Sequence, residues 1–168
     1  MELWDVLDEN GRKTGKVVER GKLMKKGEYH LVVFVWIKNT DGRFLISKRS
    51  ENKPGATLWE TPGGSAIAGE TSKQAALREV KEELGISLRA EKGIFLKRLR
   101  FETNNSWFAD IWVFNDEINI SDIVLQVEEV SDVKWATKDE LLHLIQDGQF
   151  FNGSIYLDNL LFADIIKV

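Results

Sequence analysis

The stretch Gly64-Ser-Ala-Ile-Ala-Gly-Glu70-Thr-Ser-Lys-Gln-Ala-Ala-Leu-Arg78-Glu79-Val80-Lys-Glu82-Glu83-Leu84-Gly85-Ile86 decides how this chain is read. Apolar residues fall at Ala76, Leu77, Val80 and Leu84, the 3.6-residue spacing of a helix with one packed stripe. Thr71 and Gln74 form a capping-box start, and Gly85 stands where a helix needs a left-handed terminator. A helix is therefore expected over Thr71–Leu84. Its polar side carries Arg78, Glu79, Glu82 and Glu83, with Glu70 just ahead of it. Residues three or four apart share a face, so Glu79 is stacked against Glu82 and Glu83, at a cost of roughly a few tenths of a kcal/mol per like-charged pair. The same carboxylates crowd the C-terminal half, where the helix dipole disfavours anions. A solvated acidic face is the plain explanation. Two local rules broken together shift the balance to a divalent cation, because neighbouring carboxylates on a rigid helix supply hard oxygen ligands for Mg²⁺.

Strand signals dominate upstream. Leu3–Asp8 precedes a turn at Asn10-Gly11 that favours a tight hairpin. His30–Ile37 is β-branched and aromatic throughout, as in a strand buried on both faces, and a turn at Asp41-Gly42 returns the chain into Phe44–Lys48. A loop with Pro54-Gly55 and Pro62-Gly63-Gly64 leads into the helix. Downstream, strands are expected at Ile94–Phe101, Trp107–Phe114 and around Val130–Trp135. A second helix is expected from about Lys138 to Ile145, opened by a Thr137–Glu140 capping box and stopped near Gly148, and a third over Ser154–Ile166. With no regular βαβ alternation, the order predicts an α+β fold, a mixed sheet sandwiched between helices. No repeat, low-complexity tract or linker divides residues 1–168, so one domain is expected.

The chain of 168 residues is 43% hydrophobic and 30% charged, the balance of a soluble globular protein, and can bury about two thirds of its unfolded surface without a structural metal or disulfide. It has no cysteine, which excludes thiol chemistry, disulfide scaffolds and thiolate zinc sites. A net charge of −4 carries no general positive field for nucleic acid, so none is expected as a partner. Residues 1–15 lack the basic and apolar regions of a signal peptide, and Leu31–Ile37 is too short to span a bilayer. A cytoplasmic protein without a membrane partner is expected.

Outward from the helix, the spacing Gly64, five residues, Glu70, seven residues, Arg78-Glu79-Val80, Lys81, Glu82-Glu83, Leu84, Gly85-Ile86 resembles the Nudix box at every defined position. Seven fixed identities at about 7% usage each would coincide in only ~10⁻⁸ of windows. Trp59–Gly64 and the later Glu128-Glu129-Val130, Trp135 and Asp139-Glu140-Leu141 also look like that family's layout. The resemblance implies a Nudix fold and a pyrophosphohydrolase that cleaves a nucleoside diphosphate linked to another moiety, or a similar diphosphate, by water attack on phosphorus. It implies Mg²⁺, with Mn²⁺ as substitute, held by Glu79 and Glu83, by Glu82 directly or through water, and by the Gly63 carbonyl. Arg78 and Glu70 would form the salt bridge that fixes the loop on the helix beside Gly64. The general base would be Glu79 or a later glutamate, Glu128 or Glu129, with Glu117 behind them.

Lys48, Arg49 and Lys53 stand just before the loop. Arg49 and Lys53 are the candidates for binding the diphosphate, since Arg offers bidentate contacts to phosphate and Lys a point charge. Together with Trp4-Asp5-Val6, Asp8-Glu9-Asn10-Gly11 and His30 they resemble the branch near isopentenyl diphosphate isomerase. That isomerase resemblance implies a loop cysteine followed by Gly-His and a histidine-rich metal site. Here Gly63, Gly64 and Ser65 occupy the loop, and the only histidines are His30 and His143, both expected to be structural. Hydrolysis is therefore preferred to isomerisation or to a silent metabolite sensor. Asp110 is expected on the wet side of its strand. Trp36, Trp107 and Trp112 are candidates for stacking on a base, although most of the tryptophans are expected in the core. A homodimer is the default assembly.

Overall fold

A computed structural model describes residues Met1–Val168. Its strands are β1 (Leu3–Leu7), β2 (Lys13–Glu19), β3 (His30–Lys38), β4 (Phe44–Arg49), β5 (Trp59–Glu60), β6 (Gly63–Ser65), β7 (Gly93–Phe101), β8 (Trp107–Asn115) and β9 (Val130–Ala136). The helices are α1 (Ser72–Leu84), α2 (Lys138–Gln146), α3 (Gly153–Asp158) and α4 (Leu161–Ile165). β1 and β2 form a separate hairpin. The other seven strands form one mixed sheet in which β3 runs parallel to β8 along its whole length and the remaining pairs are antiparallel.

Alternation along the central strands separates two cores. Val33, Val35 and Ile37 of β3, with Trp112 and Phe114 of β8, pack under Ala76, Val80 and Leu84 of α1. Trp36 of β3 and Ile111 and Val113 of β8 pack on the opposite face against Leu141 of α2, Tyr156 of α3, and Leu161 and Ile165 of α4. A sheet covered on both faces explains the unbroken apolar run of Leu31–Ile37. The α+β sandwich is the architecture anticipated from the pattern.

Both capping boxes form as expected. Thr71 pairs with Gln74 and Thr137 with Glu140, and Gly85 ends α1 at φ 70°. Two short strands lie where the sequence reads as loop. β3 and β4 pair only at Ile37–Leu45 and Lys38–Phe44, then splay; β6 takes the freed edge of β3 and β5 that of β4. Strands this short have no periodicity to detect. The expected third helix is broken into α3 and α4 at Leu160, which adopts φ 53°. The break lets Leu161, Phe162 and Ile165 reach the core around Trp36, and Lys38 Nζ donates to the terminal carbonyls of Ile166 and Val168 at 3.3 and 3.2 Å.

Asp110 corrects an expectation, being neither wet nor in the site. It is 1% exposed and accepts two hydrogen bonds from Arg98, Nε to Oδ1 at 2.6 Å and Nη2 to Oδ2 at 2.7 Å. Removing one partner of such a pair strands a buried charge. Arg98→Met is expected to cost about 3 kcal/mol in urea unfolding, more than Arg100→Met on the same strand, whose carboxylate partner Glu102 is exposed.

Candidate active site

The splaying of β3 from β4 opens a cavity of about 520 Å³. Its wall includes Arg49 from β4, Glu60 from β5, Gly63–Ser65 from β6, and Arg78, Glu79, Glu82 and Glu83 from α1. Lys53, Gln126 and Glu129 come from loops, and His30, Val32 and Phe34 present one face of β3.

Gly63 and Gly64 let this geometry exist. A Cβ on Gly63 would lie 2.1 Å from the Val33 carbonyl oxygen, and one on Gly64 would lie 2.6 Å from the Glu79 carboxylate. Val35 donates to the Pro62 carbonyl and Ala66 to that of Leu31, so Gly63, opposite Phe34, falls at a non-hydrogen-bonded position of the ladder. Its amide and carbonyl therefore turn away from β3, and the amide reaches Glu83 Oε2 at 3.3 Å. Gly63→Ala is expected to cost about 3 kcal/mol in denaturant unfolding, because backbone rather than a movable side chain blocks the new methyl.

Arg78 organises the α1 carboxylates. Nε donates to Glu70 Oε1 at 2.7 Å and Nη2 to Glu70 Oε2 at 3.0 Å. Nη2 also reaches the Ser65 carbonyl at 3.0 Å, while Nη1 serves Glu79 Oε1 and Glu82 Oε2, each at 2.9 Å. These five contacts match the five N–H donors of a guanidinium. Burial opposes the charge on Arg78, but its hydrogen bonds to Glu70 and the charge of Glu79 outweigh that and push its pKa up.

The carboxylates differ in setting. Glu82 lies at the exposed rim, whereas Glu83 is 4% exposed. Burial, then the charge of Glu60, pushes the Glu83 pKa up to about 8. Burial also raises Glu79, with Arg78 opposing, and raises Glu60, with Arg49 and Lys53 opposing. Arg49 Nη1 forms a short hydrogen bond to Glu60 Oε2, its Nε donates to the Pro54 carbonyl at 2.7 Å, and its guanidinium lies 3.8 Å from the Phe151 ring centroid. Lys53 Nζ stands 2.7 Å from Glu129 and 3.7 Å from both Glu60 and Glu83.

Of the carboxylates read from the sequence as bases, Glu79 and Glu129 line the cavity. Glu128 does not: it is exposed, and only its backbone carbonyl is used, by Ser50 Oγ at 2.6 Å. Glu128 and Glu129 are consecutive in a turn, so their side chains diverge. Glu117 is also elsewhere, accepting from the Thr40 amide at 2.6 Å. Lys48 projects from the other side of β4, 5.8 Å above Trp59. Trp36 and Trp112 are buried in the two cores, and Trp107 alone of the three aromatic candidates lines the cavity. His30 stacks on Trp4 with centroids 4.3 Å apart, and burial lowers its pKa to about 4.

Glu60 is a cavity residue that the sequence reading missed. The signal available was a charge between Trp59 and Thr61 directly before Pro62-Gly63-Gly64, in a stretch read as loop. Glu2, Arg20 and Asn152 were missed because they reach the wall from parts of the chain remote in sequence.

The wall carries six carboxylates, Glu2, Glu60, Glu79, Glu82, Glu83 and Glu129, against four cations, Arg20, Arg49, Lys53 and Arg78. No three His, Asp or Glu side chains converge closely enough to enclose an ion by themselves. The donors suit a hard cation that keeps part of its coordination for water and ligand oxygens, as Mg²⁺ does.

The family model described as NUDIX domain matches residues 28–158. A relative from Listeria innocua, named an uncharacterized Nudix hydrolase, is 43% identical over 152 residues, 89% of this chain and 88% of its own. An isopentenyl-diphosphate Delta-isomerase from Pectobacterium atrosepticum is 31% identical over 140 residues, 81% of this chain and 76% of its own. The crystal structure of a Deinococcus radiodurans protein is similar with a TM-score of 0.72 at 25% identity, over 88% of this chain and 91% of that one.

Proposed function

The chain belongs to the NUDIX family, as a hydrolase of pyrophosphate bonds, and from that premise we propose that it is a metal-dependent pyrophosphohydrolase acting on a nucleoside diphosphate linked to another moiety, or a similar diphosphate. The excess of carboxylates over cations in the cavity wall carries this reading. A diphosphate would be repelled by such a wall unless divalent cations, Mg²⁺ or Mn²⁺, were bound with it. Glu79 and Glu83, with Glu82 at the rim and the Gly63 carbonyl, would hold the ion. When bound, the metal neutralises phosphate charge and lowers the pKa of water.

The chain's own residues do the rest. Arg49 and Lys53 face the phosphates, Arg49 steadied by Glu60 and Phe151. Arg78 keeps Glu79 and Glu82 in place. Glu79 and Glu129 are the carboxylates at the cavity suited to take a proton from the attacking water, whereas Glu128 is not. The likeness to an isomerase favours a second reading, but its thiol chemistry has no counterpart in a chain without cysteine. The site lies in the cytoplasm on this reading, and no helix is long and apolar enough to cross a membrane.

The test is product release from a panel of nucleoside diphosphates carrying different second groups, with Mg²⁺ and with chelator, using Glu83→Gln as control. Mg²⁺-dependent cleavage of at least one member, lost in the variant, is expected. Tight metabolite binding without turnover would sink the hydrolase reading, and conversion of isopentenyl diphosphate to its isomer would replace it with the isomerase.

A further inference from the structure

The residues matching the family begin at Glu28, so the β1–β2 hairpin lies outside them. Its polar contacts are nevertheless directed at the loop that carries Glu70. Each backbone N–H of residues 66–70 has a partner within the protein. Ala66 donates to Leu31 O, Ile67 to Glu70 Oε2, and Glu70 to Ile67 O. The other two depend on the hairpin: Ala68 donates to the Leu3 carbonyl at 2.7 Å and Gly69 to Asp5 Oδ2 at 2.9 Å. Lys13 Nζ then bridges Asp5 Oδ2 at 2.7 Å and the Glu70 carbonyl at 2.8 Å. Gly69 is left-handed, with φ 92°, so this turn is not held by helix or sheet pairing of its own.

We propose that the N-terminal hairpin is a working part of the active site, in which Asp5 and Lys13 are positioning residues that fix the Gly69–Glu70 turn and, through Glu70 and Arg78, the carboxylates of Glu79 and Glu82. The chain of contacts is continuous. Lys13 and Asp5 hold the backbone of the turn, the Glu70 carboxylate grips the Nε–Nη2 edge of the Arg78 guanidinium with two hydrogen bonds, and Nη1 holds Glu79 and Glu82. The hairpin is itself anchored by burial of Trp4, Val6 and Leu7, so its polar edge is a fixed reference rather than a loose strap. Lys13 is half exposed and the Asp5 side chain is 20% exposed, so removing the lysine leaves a carboxylate that water still reaches. Its loss is therefore expected to act on geometry more than on stability.

This inference rests on the proposed hydrolase activity, and the test separates the two. Partners outside the ligand shell of a metal site are worth about 10–100-fold in affinity or activity. Lys13→Ala and Asp5→Asn are each expected to lower kcat about tenfold with KM for the diphosphate unchanged, and to raise the Mg²⁺ concentration for half-activation. Lys13→Arg should restore most of the loss. Lys22→Ala, which breaks only the hairpin's surface pair with Glu19, should leave activity unchanged. The melting temperature of the metal-free protein should move little in all four variants. Unchanged kcat in Lys13→Ala and Asp5→Asn, or a loss that follows melting temperature and is not rescued by arginine, overturns the proposal. If the wild-type chain turns over no diphosphate, the hydrolase reading fails. Mn²⁺ affinity followed by electron paramagnetic resonance then decides the positioning role: weaker binding in Lys13→Ala supports it, and equal binding overturns it.

Discussion

Glu83→Gln is expected to lower Mg²⁺-dependent kcat by on the order of 10³-fold while making the metal-free protein more stable at alkaline pH. The first effect follows from removing a charged ligand: metal assistance is worth several kcal/mol, and each 1.4 kcal/mol or so is tenfold in rate. The second follows from burial. Glu83 is 4% exposed and its pKa is raised from 4.5 to about 8, so the folded protein retains a proton that the unfolded chain has released. Wherever the folded state binds more protons, stability falls as pH rises. The metal-free wild type should therefore lose stability from about pH 4.5 up to about 8 and level off above, and Gln should remove this slope. Urea titrations at neutral and alkaline pH should show the variant ahead by on the order of 2 kcal/mol at the upper end. A cation that binds the ionised form releases the same proton, so saturating Mg²⁺ should reverse the order and put the wild type ahead. A variant less stable than wild type at every pH would overturn the raised pKa of Glu83, and one retaining full turnover would remove Glu83 from the metal site.

The second large effect is expected from Arg78→Lys, about 10²-fold in kcat despite conservation of charge. Arg78 spends five donors on Glu70, Glu79, Glu82 and the Ser65 carbonyl, in three directions fixed by a planar group. An ammonium has three donors around one point and cannot span loop and helix together. Glu79 and Glu70 would then hold carboxylates in a partly buried site with their partner withdrawn. The measurement is kcat against Mg²⁺ concentration: the half-activation point should rise and KM for the diphosphate should stay near its wild-type value. Activity within about twofold of wild type would mean that one point charge is enough and that the guanidinium's geometry is not used.

These effects were legible to different degrees. The α1 stripe, its caps and the shared face of Glu79, Glu82 and Glu83 could be read from spacing, because a helix translates intervals of three and four residues directly into shared faces, whereas the Glu70–Arg78 pairing came only with the Nudix resemblance. The same local rule covers the capping boxes at Thr71 and Thr137. Strand contacts depend on register and on neighbours far along the chain. Asp110 looked like the wet residue of an alternating strand, and its partner Arg98 was supplied by β7. Glu128 and Glu129 were equivalent as letters, and only the turn before β9 placed one inside the cavity and the other outside. The single helix expected over Ser154–Ile166 failed because apolar spacing does not reveal a left-handed Leu160 that redirects the chain onto Trp36.

The amino-acid sequence by itself determined the family, the α+β class and the identity of the helix carboxylates, since these rest on local periodicity and fixed intervals. The tertiary structure alone decided that Glu60 and Glu129 share the cavity with Glu83, that Lys53 stands among all three, and that the first twenty residues brace the loop of Glu70. Each of those contacts joins segments separated by loops or by the splayed β3–β4 pair. What brings them together is burial of two cores on opposite faces of one sheet and, for the hairpin, of Trp4, Val6 and Leu7 beside it, a cooperative choice that no local interval records.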